Sequence, residues 1–430
     1  MHRLLPSPIA FILAAVACAA RVAVAGPTLD AALQRERTDD GARGEPPPSA
    51  SSLEFSLASD SLAARQPPLV APRQGGYGGV RLDLGLLDGP SVRLRLGVGA
   101  RTDAPRTLYF EGSQASWVLE SSELYASVER RHWGPGRAGS LILDGAASAL
   151  PAVGWRRPTL RASSSPWLSW LGPWRGDLFV GRLNGHRQPQ RPTLIGMRIE
   201  AQPWQRLRVG ASRTLQWGGR GRPENADTLL HALAGIDNGG DRATEPGNQL
   251  AGIDWRWTLW PRQDLGWYGQ VVGEDEAGML PSRNFWLSGV DLRHCFDDGG
   301  TMRLFIEWTN TRAGSLSDRV APGATYRHHL YPQGYTHDGA LLGHPMGGDV
   351  VATAAGALVE RGPFAASAML ARGRATSAAQ RFVPGHLEAV NANLQLDLGD
   401  GHRTGVGAWW LRSAGWRGAS AQWWWQYAWP

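Results

Sequence analysis

From about Ser52 to the end of the chain, apolar and polar side chains alternate with a period of two in one short run after another. Val80, Leu82, Leu84 and Leu86 alternate with Arg81, Asp83 and Gly85. After the turn Asp88-Gly89-Pro90, Val92, Leu94, Leu96 and Val98 alternate with Arg93, Arg95, Gly97 and Gly99. Two such runs across an Asp-Gly turn make a β-hairpin. The pattern returns at Ile195, Met197 and Ile199, at Leu207, Val209 and Ala211, and at Met302, Leu304, Ile306 and Trp308, which follow the turn Asp297-Asp298-Gly299-Gly300. It returns again at Leu394, Leu396 and Leu398, before Asp400-Gly401. Such runs number roughly 16 to 18, many near the ~10 residues with which a tilted strand crosses a bilayer.

A soluble sandwich alternates in the same way. The aromatics favour the membrane: Trp117, Trp204, Trp217, Trp255, Trp257, Trp260, Trp267, Trp286, Trp409 and Trp410 read onto the apolar side, near the run ends, as an interfacial girdle would. The last run, Trp423-Trp424-Trp425-Gln426-Tyr427-Ala428-Trp429-Pro430, sets Trp423, Trp425, Tyr427 and Trp429 on one face. A final aromatic strand is typical of proteins handed to the outer-membrane insertion machinery, although Pro430 stands where an aromatic usually ends the chain. The expected fold is all-β: a transmembrane antiparallel β-barrel of about 18 strands, closed because closure satisfies the backbone of spanning strands.

The chain has no lysine, so all 44 basic side chains are arginine. That excludes a P-loop, a Schiff-base lysine and a serine–lysine dyad. Residues 1–25 read as a signal peptide, with Arg3, the apolar stretch Ile9 to Ala20 and the cleavage site Ala23-Val24-Ala25. Cys18 lacks a lipobox, because Ala15 stands where Leu is preferred; cleavage would leave Cys295 alone and no internal disulfide. Residues 26–50 form a proline-bearing periplasmic lead-in (Glu45-Pro46-Pro47-Pro48), and 51–430 the outer-membrane barrel.

Short connections such as Asp88-Gly89-Pro90 and Asp297 to Gly300 read as periplasmic turns. Long ones at 132–156, 162–174, 217–248, 273–283 and 313–347 would lie outside or fold into the lumen. Within 217–248 a short helix is expected, capped by Asp227, apolar at Leu229, Leu230 and Leu233, and stopped by Gly235.

Several segments in series carry a resemblance. They are Trp133-Gly134-Pro135-Gly136 with Gly139-Ser140-Leu141-Ile142-Leu143, then Pro166-Trp167-Leu168-Ser169-Trp170-Leu171-Gly172-Pro173-Trp174. Next come Arg213-Thr214-Leu215-Gln216-Trp217-Gly218-Gly219 and Pro246-Gly247-Asn248-Gln249-Leu250-Ala251-Gly252. Gly273-Glu274-Asp275-Glu276-Ala277-Gly278, Leu280-Pro281-Ser282-Arg283 and the stretch from Tyr331 to His344 complete the series. Together they resemble the Wzi family of capsule assembly proteins, outer-membrane barrels of Gram-negative bacteria. The resemblance implies a monomeric barrel of about eighteen strands, an N-terminal helical part on the periplasmic side, and a lectin-like role in attaching capsular polysaccharide. Two departures stand out: the segment after the leader is short and proline-bearing, and His132 replaces the first member of the family's Trp-Trp pair.

The candidate polysaccharide contacts are Arg131, His132, Trp133, Arg137, Trp167, Trp170, Trp217, Arg220, Tyr331, Tyr335 and His337. Indoles stack on pyranose faces, and guanidinium groups pair with uronate or pyruvate carboxylates. The plainer reading makes Gly134-Pro135-Gly136 a tight re-entry turn and packs 141–143 as a lumen plug. Glu274, Asp275 and Glu276 are consecutive, so they do not face one another across a glycoside. His328, His329, His337, Asp338 and His344 match no known ligand set, and Asp237, Asn238 and Asp241 lack EF-hand spacing. No nucleophile elbow, dinucleotide fingerprint or Cys-x-x-Cys is present. No cofactor, metal or nucleic acid is therefore expected.

The reading is an outer-membrane, lectin-like protein, not an enzyme, that binds and anchors capsular or exopolysaccharide at the cell surface. Its other partners would be outer-membrane lipid or lipopolysaccharide and the barrel insertion machinery. The alternative is a porin-like channel for oligosaccharides or anions, with Arg81, Arg93, Arg95, Arg198, Arg208 and Arg303 as a selectivity ring and Asp83, Glu200 and Glu307 available to pair with them.

Overall fold

The computed structural model describes residues 51–58, 77–101, 108–145, 148–186, 188–234, 247–276, 281–316, 320–376, 384–414 and 416–429. The expected leader and lead-in lie outside these residues. The first strands are β1 (Ser51–Ala58), β2 (Tyr77–Asp88), β3 (Val92–Arg101), β4 in two pieces (Leu108–Tyr109 and Gln114–Leu119), β5 (Ser122–Glu129) and β6 (Leu150–Arg161). Then follow β7 (Trp174–Arg182), β8 (Thr193–Trp204), β9 (Leu207–Trp217), β10 (Gly247–Trp260), β11 (Leu265–Glu276) and β12 (Pro281–Cys295). The circuit ends with β13 (Thr301–Asn310), β14 (Val350–Arg361), β15 (Phe364–Ala375), β16 (Gly385–Gly399), β17 (His402–Ser413) and β18 (Trp416–Trp429). Each pairs antiparallel with the next, and β1 returns to β18 from Ser51↔Trp429 to Ala58↔Gln422, which closes an 18-strand barrel.

The ladder between β3 and β4 is interrupted. Between the pieces of β4 the ladder to β3 lapses, and there the Ser113 hydroxyl accepts from the Gly97 N–H (3.1 Å) and donates to the Gly97 carbonyl (3.0 Å). A side chain supplies the missing rung.

The two faces invert the order of a soluble protein. On β13, Leu304, Ile306 and Trp308 point outward and are exposed, while Arg303, Glu307 and Thr309 are buried inward. On β7, Leu178 and Val180 face out and Phe179 is buried. A continuous exposed apolar band around a polar interior is the arrangement of a transmembrane β-barrel. Trp409, expected in the outer girdle, is instead buried inside against Leu387, Leu411 and Met346. Trp424 also faces in, and a Cβ at Gly405 would meet its indole at 2.5 Å, so glycine there makes room for the ring.

Strand parity sorts the connections between the two ends. Those after even-numbered strands, Asp88-Gly89-Pro90 and Asp297 to Gly300 among them, share the turn end; those after odd-numbered strands share the loop end. Segment 162–173 follows β6 and so lies at the turn end, which corrects its expected place among the outer loops. Parity could not be read from runs whose number was known only to within two.

Helix α1 (Ala226–Ala234) is capped by Asn225, not by the expected Asp227: the Asn225 Oδ1 accepts the Thr228 N–H at 2.9 Å. Leu229 packs on Ile195, Leu215 and Trp217, and the Trp217 indole N–H donates to the Thr228 hydroxyl (3.3 Å). Ile195 shares the outward face of β8 with Ile199, so α1 lies against the outside of the wall. The expected stop at Gly235 is outside the described residues.

Ile306→Arg should therefore cost about 2–4 kcal/mol in urea titrations of barrel refolded into lipid vesicles, the penalty of a charge near the bilayer midplane. A cost near zero would mean that Ile306 does not face lipid.

Candidate functional site: the plugged loop end and its rim

Past β5 the chain turns into the lumen. Gly134 has φ +137, and a Cβ there would press on the Gln270 amide at 2.8 Å, so only glycine serves. The Trp133 N–H then donates to the Leu143 carbonyl (2.8 Å), closing a compact loop. Leu141 and Ile142 are 0% exposed, packed in one cluster with Phe179, Leu194, Tyr268 and Phe285. Burial of each such aliphatic side chain is worth about 1.5–3 kcal/mol.

A second insert, 311–349, interlocks with the first. The Tyr326 hydroxyl donates to the Leu141 carbonyl (2.8 Å) and accepts the His344 N–H (3.0 Å), while the Asp144 N–H donates to the Leu342 carbonyl (2.7 Å). Together the two segments form the expected lumen plug.

The plug is fastened to the wall by polar contacts from β11 to β13. Gln270 accepts the Leu141 N–H (2.8 Å) and donates to the Trp133 carbonyl (2.9 Å). Glu307 accepts the Arg137 backbone N–H (2.7 Å) and the Tyr268 hydroxyl (3.0 Å). The Arg137 guanidinium reaches Asp291 (3.1 Å), which also holds Arg256 (2.9 Å) and Arg303 (2.6 Å).

The structure disperses the sequence-nominated sugar contacts. Arg131 is buried, paired with Glu129 (2.9 Å) and stacked 4.2 Å from the Phe179 ring. Trp133 is buried against the same ring. His132 sets Nδ1 against Asp144 (3.1 Å) and Nε2 against the Gly136 carbonyl (3.1 Å). Tyr331, Tyr335 and His337 are buried, the last accepting the Asn184 N–H through Nδ1 (3.1 Å). These residues and Arg137 knit plug to wall. Trp217 lies under α1, and Arg220 is exposed at the loop end, bridged to Gln190. Trp167 and Trp170, 87% and 71% exposed, are at the opposite end of the barrel, too far to share a ligand with the others.

The arginines expected as a selectivity ring are paired. Arg81 and Arg95 meet Asp83 (2.8 and 3.8 Å), Arg93 meets Asp88 (3.4 Å), and Arg198 holds Asp254 (2.6 Å) and Glu200 (2.9 Å). Arg208 approaches Glu200 (3.7 Å), and Arg303 is held by Asp291. Glu274 is buried and accepts the Tyr326 N–H (2.7 Å); the side chains of Asp275 and Glu276 lie outside the described residues. Among the described residues no three His, Cys, Asp or Glu side chains form a metal-holding group.

At the rim the His328 and His329 rings lie 4.5 Å apart. Burial, then His329, Arg222 and Arg283, push the His328 imidazole down to about 3. Arg222 and Arg283 act on His328 through space from separate segments, and nothing in the sequence marks them out.

A closed barrel with an apolar outer band and a lumen stopped from the loop end is a plugged barrel of the outer-membrane type. The profile of capsule assembly protein Wzi matches residues 90–360, and the chain belongs to that family. A Klebsiella pneumoniae relative described as an uncharacterized 55.8 kDa protein in the cps region is 42% identical over 166 residues, 38% of this chain and 32% of that protein. The match thus spans about a third of the length of that curated relative. Among solved structures, Wzi of Escherichia coli, described as an outer membrane protein involved in group 1 capsule assembly and a carbohydrate binding β-barrel, has the same fold. It gives a TM-score of 0.73 at 23% identity, over 94% of this chain and 89% of the other.

Two outcomes follow from the plug. Tyr326→Phe leaves the Leu141 carbonyl and His344 N–H without their bridge, at about 1–3 kcal/mol, and should speed hydrogen exchange at 141–144; unchanged exchange would mean that the bridge carries no load. Burial above all holds His344 at about 4, with Asp144 opposing and His132 adding to the depression, against 6.5 for an ordinary imidazole. The unfolded plug therefore takes up a proton first, so plug stability is full above about 6.5 and falls as pH drops toward 4. Limited proteolysis of 323–349 should accelerate across that window, and a flat profile would argue against it.

Proposed function

We propose that this protein is an outer-membrane, lectin-like component of capsule assembly that holds capsular or exopolysaccharide at the cell surface. The observation that carries the reading is the interlocked apolar plug: the loop end offers a solid, folded rim to a polymer instead of an open passage. Membership of the Wzi family and the fold shared with the carbohydrate binding barrel of E. coli support it. Retention comes from binding and not from catalysis. The protein works as a monomer in lipid and lipopolysaccharide, after export and delivery to the barrel insertion machinery. The exposed rim makes the contacts, Arg220 among them.

Deletion of the gene should leave polymer made and secreted but shed into the medium, with the cell-bound fraction reduced. An unchanged bound fraction would end the reading. Purified protein in planar bilayers should give no stable ohmic channels, and regular conductance steps would favour the porin-like alternative.

A further inference from the structure

The lumen arginines Arg198, Arg256 and Arg303 are held by carboxylates, whereas one patch of the outer face carries arginine in excess. At the loop end, β15 to β18 set four residues in a row across the ladder. Arg372 stands opposite Glu388, Glu388 opposite Arg412, and Arg412 opposite Arg417. Arg374 stands one row nearer the loops, opposite His386. These side chains point away from the lumen, because the alternate positions Ala371, Leu387, Leu411 and Ser420 are the buried ones. The next row toward the turn end is apolar, Leu370, Val390 and Trp410, so the basic row begins where the outer apolar band stops. Glu388 is shared: one carboxylate oxygen takes Arg372 (2.7 Å) and the other lies 3.8 Å from Arg412. Both of those arginine side chains stay largely exposed, 79% and 68%. Among the described residues, Arg374 and Arg417 meet no carboxylate within ion-pair distance.

We propose that Arg372, Arg374, Arg412 and Arg417 form a binding site for a lipid headgroup, and that the occupant is a glycolipid bearing two or more phosphates, as lipopolysaccharide does. The proposal rests on the outer-membrane placement of the barrel and not on polysaccharide retention. Four guanidinium groups against one carboxylate leave three positive charges in excess, and beside a low-dielectric layer such an excess is stabilised by bound anions. Arginine meets phosphate through two parallel, charge-assisted hydrogen bonds. Height selects a lipid over a soluble polymer. Leu370 and Val390 directly below the row face acyl chains, and a tryptophan at that boundary, Trp410, belongs at headgroup level. Width selects the number of phosphates: strands about 4.8 Å apart set Arg372 and Arg417 roughly 14 Å from each other, more than a single phosphate spans. The loop end of such a barrel is the extracellular one, so the lipid belongs to the outer leaflet. An exposed ion pair contributes little, so an arriving phosphate can draw Arg372 and Arg412 away from Glu388.

The test uses the full-length protein in nonionic detergent, native mass spectrometry, and two probes with identical acyl chains: bisphosphorylated and monophosphorylated lipid A. The bisphosphorylated form should bind at least about tenfold tighter, the size expected for one hydrogen bond to a charged group. In Arg412→Gln/Arg417→Gln it should weaken about tenfold to a hundredfold and lose its advantage over the other probe. Glu388→Gln should instead tighten it a few-fold, because the competing carboxylate is gone; a row that only holds strands together would not respond in that direction. Heat-modifiable gel mobility, read for every variant, certifies a folded barrel, and Arg374→Gln alone, with a few-fold weakening, serves if the double variant misfolds. Equal affinity for the two probes, no binding of the bisphosphorylated form, a folded arginine variant with its preference intact, or weaker binding in Glu388→Gln overturns the site. So does oligogalacturonate, an acidic oligosaccharide, if it binds the row more tightly than either lipid. Loss of the lipid site leaves polymer shedding from the deletion strain as it was, and a deletion strain that retains its polymer leaves the lipid site standing.

Discussion

In hydrocarbon an unpaired peptide group has no water to turn to, and each one costs several kcal/mol. The register that joins β1 to β18 answers that constraint, and most other features descend from it. Closure forces side chains to alternate between lipid and lumen, so the apolar surface goes outside and polar groups collect within. Even the lapse between β3 and β4 obeys the rule, since the Ser113 hydroxyl serves both the N–H and the carbonyl of Gly97.

Closure also creates an interior that eighteen strands cannot fill with their own side chains. Two solutions divide the space. Toward the turn end, carboxylates and arginines neutralise one another in shared clusters such as Arg175, Arg198 and Arg208 around Glu200. Toward the loop end, 130–145 and 311–349 carry an apolar core into the lumen and fasten it through Gln270, Glu307 and Asp291. Buried ion pairs add little net stability but penalise any other arrangement. The Arg137–Asp291 contact is best understood as what fixes the plug in one position.

Much of this was legible in the residues. The period-two runs gave the strands, and their polar members identified the lumen face: Arg303 and Glu307 against Leu304 and Ile306. What failed was anything that depended on tertiary placement. Trp409 sits in an alternating run like its neighbours, yet the indole belongs to the interior. Ile195 and Leu215 are outward residues by pattern but are covered by α1. Trp133, Tyr331 and Tyr335 carry the chemistry of sugar recognition, and the fold uses the same rings and hydroxyls to close the plug. Segment 162–173 was assigned to the wrong end because length was read as the mark of an outer loop, and this long connection follows an even-numbered strand. The rim cluster was invisible for a related reason: Arg222 and His328 are a hundred or so positions apart and share no motif.

The placement of α1 has a consequence for how the barrel sits. Where the helix covers Ile195, Leu215 and Trp217 on β8 and β9, the lipid-accessible apolar wall is shortened at the loop end, and among the described residues no helix lies against β17 and β18 on the far side. A cylinder whose greasy sleeve is lower on one flank matches a flat bilayer best when its axis leans. The loop-end mouth then opens at an angle to the membrane normal instead of along it.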